Sequence, residues 1–149
     1  MTTSEVCVCA RHAVSVLFVD DDVDTLFAYH LVATEEGMSV ELAREGREAI
    51  TLASVLLPDV IVLDLGLRDV EGLGGLEVLR RLRASERTSA IPVVILSGFN
   101  SAHDAAQIRA SGCDGHLVKP CSADELIGLL TSLARGRRVQ SASLEASTG

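Results

Sequence analysis

Short apolar runs rich in β-branched residues alternate along the chain with longer amphipathic stretches. Such runs predict buried strands, and apolar residues at helical spacing predict helices that pack on them. Strict strand–helix alternation implies right-handed crossovers, and therefore a parallel sheet with helices on both faces. The pattern predicts a three-layer α/β/α domain with a five-stranded parallel sheet. The predicted strands are 14–19, 38–42, 60–63, 93–96 and 115–118, and the predicted helices are 22–36, 47–56, 76–84, 103–110 and 123–134.

The two ends of the chain differ in composition from this alternating region. Residues 1–12 are polar and are interpreted as an N-terminal extension, and residues 13–135 as the domain. The tail 136–149 is rich in Ser and Ala with few charges, which predicts disorder. Within the domain, Asp22 is expected to cap the first helix and Ser122 the last.

Length and composition fit one α/β domain with an aliphatic core. The chain has 149 residues, of which 48% are hydrophobic and only 3% aromatic. The formal net charge of −8 argues against direct nucleic-acid binding, because neutralised phosphates supply most of that affinity. No apolar run approaches the roughly 20 residues of a membrane span, and no signal peptide is visible. We therefore expect a cytoplasmic protein without membrane contact, in which four cysteines remain reduced: Cys7, Cys9, Cys113 and Cys121.

Polar residues end four of the five predicted strands. In open parallel sheets, ligands bind outside the carboxyl ends of the strands, where the strand order changes direction. Three acids, a hydroxyl and a lysine are therefore expected together at one edge of the sheet. The strand ends in question are Asp20-Asp21-Asp22, Asp64, Ser97 and Lys119-Pro120.

The chemistry available to this set is narrow. Neighbouring carboxylates repel each other, so at neutral pH they need a proton or a cation. Mg²⁺ prefers hard oxygen ligands and binds through one or two carboxylates together with phosphate oxygens. A carboxylate can also act as a nucleophile and accept a phosphoryl group as an acyl phosphate. A lysine supplies positive charge to the phosphoryl oxygens, and positioning and electrostatics are nearly all that phosphoryl transfer requires.

The same residues resemble the response-regulator receiver domains of two-component signalling. The resemblance rests on Asp20-Asp21 after a strand, Asp64 after Val-Ile-Val-Leu, Ser97-Gly98 after Val-Val-Ile-Leu, and Lys119-Pro120, each in the family's order. It covers residues 13–135 and implies a flavodoxin-like, chemotaxis-regulator-like fold with strand order 2-1-3-4-5.

The resemblance also implies a role for each site residue. Asp64 would be the phosphoacceptor, and Ser97 would contact the phosphoryl group and move on activation. Asp20 and Asp21 would hold Mg²⁺ together with Asp64 and the backbone carbonyl of Gly66, with Asp21 and Asp64 as direct ligands. Lys119 would pair with the phosphoryl group, and the Lys119–Pro120 bond is expected to be cis. Asp22 has no such role.

Two positions depart from the family pattern. The loop after Asp64 is longer and richer in glycine than usual, and Arg68 stands where receivers carry a proline. The sequence leaves open whether Asp69 or Glu71 reaches the metal. His116 occupies the family's aromatic switch position, and an imidazole there could swing between buried and exposed positions or titrate near neutrality.

The function implied is that of a stand-alone receiver. No effector domain follows the predicted receiver, so the output is expected to be a protein–protein interaction, with possible homodimerisation. The phosphoryl group would come from a histidine kinase or a histidine phosphotransfer protein. The chain would not be an enzyme, beyond catalysing its own phosphorylation and dephosphorylation. Three alternatives remain: a degenerate receiver that binds partners without phosphorylation, a haloacid-dehalogenase-type phosphatase, and a piece of a larger hybrid protein.

Overall fold

The structure is a computed structural model that describes residues 13–67, 73–98 and 102–148. For residues 102–104 and 137–148 it describes the backbone alone. These residues form five strands and five helices in strict alternation, as predicted. The strands are β1 (Ser15–Val19), β2 (Ser39–Ala43), β3 (Val60–Asp64), β4 (Val93–Ser97) and β5 (Gly115–Val118). The helices are α1 (Val23–Glu35), α2 (Gly46–Leu56), α3 (Gly75–Ala84), α4 (Ala102–Ala110) and α5 (Ala123–Thr148).

All five strands are parallel and lie in the order β2-β1-β3-β4-β5. The chain leaves β1 toward one edge of the sheet and leaves β3 toward the other, so the strand order changes direction between them. Ligands of open parallel sheets bind at such a point, outside the carboxyl ends of the strands. The predicted fold class and strand order are confirmed. Asp20 follows β1 and Asp64 is the last residue of β3, and these two strands flank the crevice.

The core consists of two apolar layers, one on each face of the sheet. Alternate strand residues point to opposite faces, so Leu17 and Val19 meet α2, α3 and α4, whereas Val16 and Phe18 meet α1 and α5. The central strand β3 is buried on both faces, which explains its unbroken apolar sequence. Aromatic rings contribute little here, and aliphatic side chains fill both layers, as the composition predicted.

Tyr29 of α1 stacks on Phe18 of β1, with ring centroids 5.2 Å apart and ring planes inclined by 27°. Burial favours the neutral phenol and raises the pKa of Tyr29 to about 12. Because the folded state holds this pKa above its unfolded value, the resulting stabilisation is complete below pH 10 and is lost as the pH rises through 12.

The titration of Tyr29 can be followed directly, since the chain has one tyrosine and no tryptophan. We expect the phenolate absorbance of the folded protein to appear with a midpoint near pH 12. The same protein unfolded in guanidinium chloride should titrate near pH 10, the ordinary phenol value. Equal midpoints in the folded and the unfolded protein would show that the ring is solvated.

The last helix differs from the sequence prediction in length. The capping prediction is confirmed, because Glu125 N donates to Ser122 Oγ (3.0 Å) and Ser122 N donates to the Glu125 carboxylate (3.3 Å). However, α5 continues through Thr148, where disorder was expected from Gly136 onward. The tail contains no proline and carries Ala, Leu, Gln, Glu and Arg, which propagate a helix once it has begun. The helix in place of the expected disorder has this physical reason, and the division of the chain into an extension, a domain and a tail stays a prediction.

Two further expectations concern thiols and membranes. Cys113 and Cys121 are free thiols, as predicted, whereas Cys7 and Cys9 lie outside the described residues. Among the helices of residues 13–67, 73–98 and 102–148, none is both long and apolar enough to cross a membrane.

Candidate functional site

Asp20 follows β1 and is almost completely buried, with 2% of its surface exposed. Its backbone N–H donates to the carbonyl of Ala43 (3.1 Å), and its carboxylate Oδ1 accepts the backbone N–H of Asp22 (2.9 Å). These bonds hold the Asp20 side chain at the edge of the sheet where the strands have their C-terminal ends. Asp21 is exposed beside it. Asp22 occupies the N-cap position of α1 without a side-chain capping bond, and its carboxylate accepts the Thr25 hydroxyl instead.

Asp64 is the last residue of β3, and 12% of its side chain is exposed. A tight turn follows, in which Leu67 N donates to the Asp64 carbonyl (3.1 Å) and Gly66 N donates to the carboxylate Oδ1 (3.2 Å). A side chain on Gly66 would begin 3.8 Å from both carboxylate oxygens. Gly66 therefore lies directly beside the Asp64 carboxylate, and its role as a metal ligand stays a prediction.

The three acids form one cluster. One carboxylate oxygen from each of Asp20, Asp21 and Asp64 lies within 4.8 Å of the other two. Burial raises the pKa of Asp20, and the negative charge of Asp64 adds to the effect, although the hydrogen bond from Asp22 N opposes it. Hard oxygen atoms converging on one point, with repulsion among their charges, suit Mg²⁺.

Lys119 supplies a cation to this cluster. Its Nζ lies 3.2 Å from Asp20 Oδ2 and 3.2 Å from Asp64 Oδ1. Burial disfavours the charged ammonium, but attraction to Asp64 and Asp20 outweighs that effect and raises the pKa of Lys119. Every other fixed cation in the chain is an arginine, so the one lysine of the sequence stands at this site. A compact ammonium serves as a point charge between two carboxylates, whereas a planar guanidinium would not.

The backbone around Lys119 is also defined. Its N–H donates to the carbonyl of Ser97 (2.7 Å), and the Lys119–Pro120 bond is cis, as expected. Ser97 ends β4 and is completely buried. Leu96 of β4 pairs with Asp64 of β3, so Ser97 lies one residue farther than Asp64 toward the C-terminal edge of the sheet. The structure thus brings the four predicted strand ends to one edge.

His116 lies on β5, where it pairs with Ile95. The ring is partly buried, and its Nε2 is buried without a hydrogen-bond partner among the described residues. It lines a groove of about 460 Å³ between α4 and β5, beside Ile108, Arg109 and Cys113. Its role as a switch stays a prediction. Arg68, Asp69 and Glu71 lie outside the described residues, and so does the longer loop that contains them.

Sequence reasoning missed a second apolar face on α1. Leu26 and Ala33 are buried against the sheet, but Val23, Phe27 and Leu31 are exposed on a different side of the helix. Their spacing of four residues was a visible signal, since it is regular and lies off the face that Leu26 marks. The exposed stripe, Val23–Phe27–Leu31, begins at the site because α1 follows Asp22 directly.

The arrangement of acids, lysine and hydroxyl can be set against known proteins. Residues 16–131 match the family model described as the response regulator receiver domain. The chain belongs to the receiver-domain family of two-component response regulators. Receiver domains are signalling switches, generally not enzymes, and they interact with histidine kinases and bind Mg²⁺ at an acidic site.

Individual relatives add detail to this assignment. The transcriptional regulatory protein TrcR of Mycobacterium tuberculosis is 38% identical over 122 residues, which are 82% of this chain and 46% of TrcR. The chain thus spans about half the length of that relative. Among solved structures, the receiver domain of the Francisella response regulator 1452 is 32% identical, with a TM-score of 0.74 over 83% of this chain and 98% of that one.

A further structural neighbour is similar in fold alone. The receiver domain of the sensor histidine kinase PA1611 from Pseudomonas aeruginosa has a TM-score of 0.75 and 24% identity, over 83% of this chain and 98% of that one. That protein carries a magnesium ion coordinated in its active-site cleft.

Proposed function

We propose that this receiver is a Mg²⁺-dependent switch that accepts a phosphoryl group on Asp64. The observation that carries the proposal is the position of the Asp64 carboxylate, which lies 3.2 Å from Lys119 Nζ and shares one cluster with Asp20 and Asp21. A nucleophilic carboxylate, a fixed cation and two further acids are the groups that phosphoryl acceptance with a divalent ion needs.

Asp21, Asp64 and the carbonyl of Gly66 would hold Mg²⁺ directly, with Asp20 completing the acidic site. The bound ion would neutralise the carboxylates and the incoming phosphoryl oxygens. Support comes from the donor set itself, since one oxygen from each of the three acids lies within 4.8 Å of the others. Oxygen ligands of this kind suit Mg²⁺ better than softer metals.

The transfer step assigns the two oxygens of Asp64 different tasks. Gly66 N and Lys119 Nζ both donate to Oδ1, which leaves Oδ2 as the attacking atom. A new O–P bond forms as the N–P bond of the donor phosphohistidine breaks, and the electron pair of that bond remains on the imidazole nitrogen. Lys119 balances the charge of the transferred group, and the Ser97 hydroxyl would donate to one of its oxygens.

The output would be a change at the surface formed by α4, β5 and α5. The phosphorylated side chain would carry about −1.5 to −2 charges in place of the single negative charge of the Asp64 carboxylate. The added charge and the new phosphoryl oxygens would bias the positions of Ser97 and His116. The His116 Nε2, buried without a partner among the described residues, makes the inward position weakly held, because an unsatisfied buried nitrogen costs about 1–3 kcal/mol. An outward position would return that nitrogen to water.

The reaction is tested by weighing the intact protein after incubation with acetyl phosphate. We expect the mass of one phosphoryl group to be added in Mg²⁺ and the addition to be at least about tenfold slower in EDTA. Equal rates in both buffers would contradict the metal requirement. No addition in either buffer, with the protein folded and the donor active, would favour the degenerate receiver.

The exposed stripe on α1 offers a docking surface for the phosphoryl donor. A donor must bring its phosphohistidine to Asp64 and therefore covers the rim of the site, where Val23 begins the stripe. Phe27 lies at the centre of the stripe and is 62% exposed. Aromatic anchors carry a large share of binding energy in protein interfaces. We infer that the apolar face of a helical histidine kinase or phosphotransfer domain packs on this stripe.

Phe27→Ser is expected to slow phosphoryl transfer from phosphorylated histidine kinases at least about tenfold, because an aromatic anchor is worth about 2 kcal/mol or more. Its reaction with acetyl phosphate should stay at the wild-type rate, since that donor needs no docking. The matched control is Val55→Ser, which removes an equally exposed apolar side chain from the far end of α2. Wild-type transfer rates in Phe27→Ser, for every kinase that phosphorylates the wild type, would refute the docking surface.

Other expectations stay predictions. TrcR is about twice as long as this chain and is a transcriptional regulatory protein. That this receiver acts without an output domain of its own, and that it does not bind nucleic acid directly, therefore stay predictions. Cytoplasmic location and homodimerisation are likewise untested. The family match over residues 16–131 leaves the haloacid-dehalogenase-type phosphatase without support.

A further inference from the structure

The start of α3 rests directly on the backbone of the phosphoacceptor. A methyl carbon added to Gly75 would lie 2.5 Å from the Asp64 carbonyl oxygen, 3.1 Å from Leu65 Cα and 3.2 Å from the Leu65 carbonyl oxygen. All three atoms are backbone atoms, so no side chain can turn away to make room. We propose that Gly75 is a positioning residue, which sets the place of Asp64 and the Gly66 carbonyl by allowing α3 to touch this turn.

The contact of Gly75 acts on the turn after Asp64, which carries Gly66 and positions the Asp64 carboxylate. The Asp64 carbonyl beneath Gly75 already accepts the N–H of Leu67, and this bond closes the turn that carries Gly66. Gly66 N in turn donates to the Asp64 carboxylate. A displacement of the turn therefore moves the carboxylate and the Gly66 carbonyl relative to Asp20 and Asp21.

The helix cannot simply move away. Val78, Leu79 and Leu82 of α3 are completely or almost completely buried in the core. On its other side, the residues that precede and begin α3 press on α2, since a methyl on Gly46 would lie 2.7 Å from Leu73 and 2.8 Å from Val78. Restoring an ordinary contact of at least 3.4 Å at Gly75 would need a displacement of about 1 Å, and much of it would fall on the turn.

A shift of that size matters for the proposed metal site, on which this inference rests. Mg²⁺ demands near-ideal octahedral geometry, and a misplacement of about 1 Å can slow a reaction by about a hundredfold. Gly75→Ala is therefore expected to weaken Mg²⁺ binding at least about tenfold and to slow phosphorylation by acetyl phosphate by a similar factor.

Two glycine variants separate this effect from lost stability. Gly46→Ala adds the same methyl against side-chain carbons of Leu73 and Val78, which can turn aside, whereas the atoms that face Gly75 are backbone atoms. It should therefore lower the unfolding temperature and change Mg²⁺ affinity far less than Gly75→Ala does. Gly128→Ala adds it to α5, where no atom outside the helix lies within 4 Å. It should raise the unfolding temperature slightly, because Ala is a better helix former than Gly, and leave Mg²⁺ affinity unchanged. Mg²⁺ affinity is measured from amide chemical shifts in a metal titration, which also report that each variant is folded.

The decisive comparison is Mg²⁺ affinity at equal folded fraction. A dissociation constant of Gly75→Ala within twofold of the wild type would overturn the inference, as would an equal loss in Gly46→Ala. Should Gly75→Ala unfold, the titration is repeated at low temperature in sucrose, which favours the folded state. A variant that stays unfolded there would also count against the inference, since the glycine would then serve the whole fold. Wild-type protein that binds Mg²⁺ but accepts no phosphoryl group would defeat the proposed function alone.

Discussion

Asp64→Asn is expected to abolish phosphoryl acceptance while the domain stays folded. An amide oxygen is a far weaker nucleophile than a carboxylate, and the remaining acids of the cluster do not replace Asp64. Asp20 is 2% exposed and bonded to Asp22 N and Lys119. Intact mass after incubation with acetyl phosphate and Mg²⁺ should show one added phosphoryl group on the wild type and none on Asp64→Asn.

The fold of this variant should survive because the amide oxygen can still accept from Gly66 N. The variant loses the attraction to Lys119, but it also loses repulsion from Asp20, so its unfolding free energy in metal-free buffer should stay within about 1 kcal/mol of the wild type. Its Mg²⁺ affinity should fall, because one charged ligand is gone.

Asp22→Asn is the matched control for this experiment. It removes the same charge from the same edge of the sheet, but the Asp22 carboxylate is bonded to Thr25 and lies outside the cluster. We expect normal phosphorylation of Asp22→Asn. Loss of the reaction in both variants would mean that net charge, rather than the nucleophile, explains the result. A phosphoryl group on Asp64→Asn would move the acceptor to another side chain.

The location of this site was predictable because it depends on topology alone. Parallel strands end at one edge of a sheet, so the residues after β1, β3, β4 and β5 meet there whatever the details of packing. The residue types then restrict the chemistry. Lys119, although distant in sequence from Asp20 and Asp64, contacts both for this reason.

Contacts that depend on how a helix packs were not predictable in this way. The approach of Gly75 to Asp64 follows from the depth at which α3 lies on the sheet, which buried side chains such as Leu79 determine. The stripe that contains Phe27 was visible as a spacing, but its exposure depends on which face of α1 the sheet covers. The helix beyond Gly136 was not predicted because Ser and Ala were taken as signs of disorder, although Ala is the strongest helix former.

Lys119→Met should have two separable effects, because the ammonium both stabilises the apo site and assists the reaction. In metal-free buffer the variant leaves the buried carboxylate of Asp20 without its cation. Breaking a buried ion pair costs about 3–5 kcal/mol of unfolding free energy. Because 28% of the Lys119 side chain is exposed, we expect the lower end of this range, a loss of about 3 kcal/mol. Urea unfolding in EDTA measures this loss.

Added Mg²⁺ should restore much of the lost stability of Lys119→Met. An ion that binds only the folded state stabilises that state by mass action. Without the lysine, the acids carry more uncompensated negative charge than in the wild type, so Mg²⁺ should bind the variant more strongly. The difference in unfolding free energy between Mg²⁺ and EDTA should therefore be larger for Lys119→Met than for the wild type. An equal difference would mean that Lys119 and the metal do not neutralise the same carboxylates.

Phosphorylation of Lys119→Met should not recover with the metal. Removing one fixed positive donor from developing negative charge typically slows a reaction by about 10²–10³-fold, and Mg²⁺ bound to the acids does not occupy the position of Nζ. Lys119→Arg tests this directly, because it keeps the charge but replaces a compact ammonium with a planar fork. We expect Lys119→Arg to lie nearer the wild type in metal-free stability and nearer Lys119→Met in rate. Wild-type phosphorylation by Lys119→Arg would mean that the site needs only a nearby charge, and not the particular reach of this one lysine.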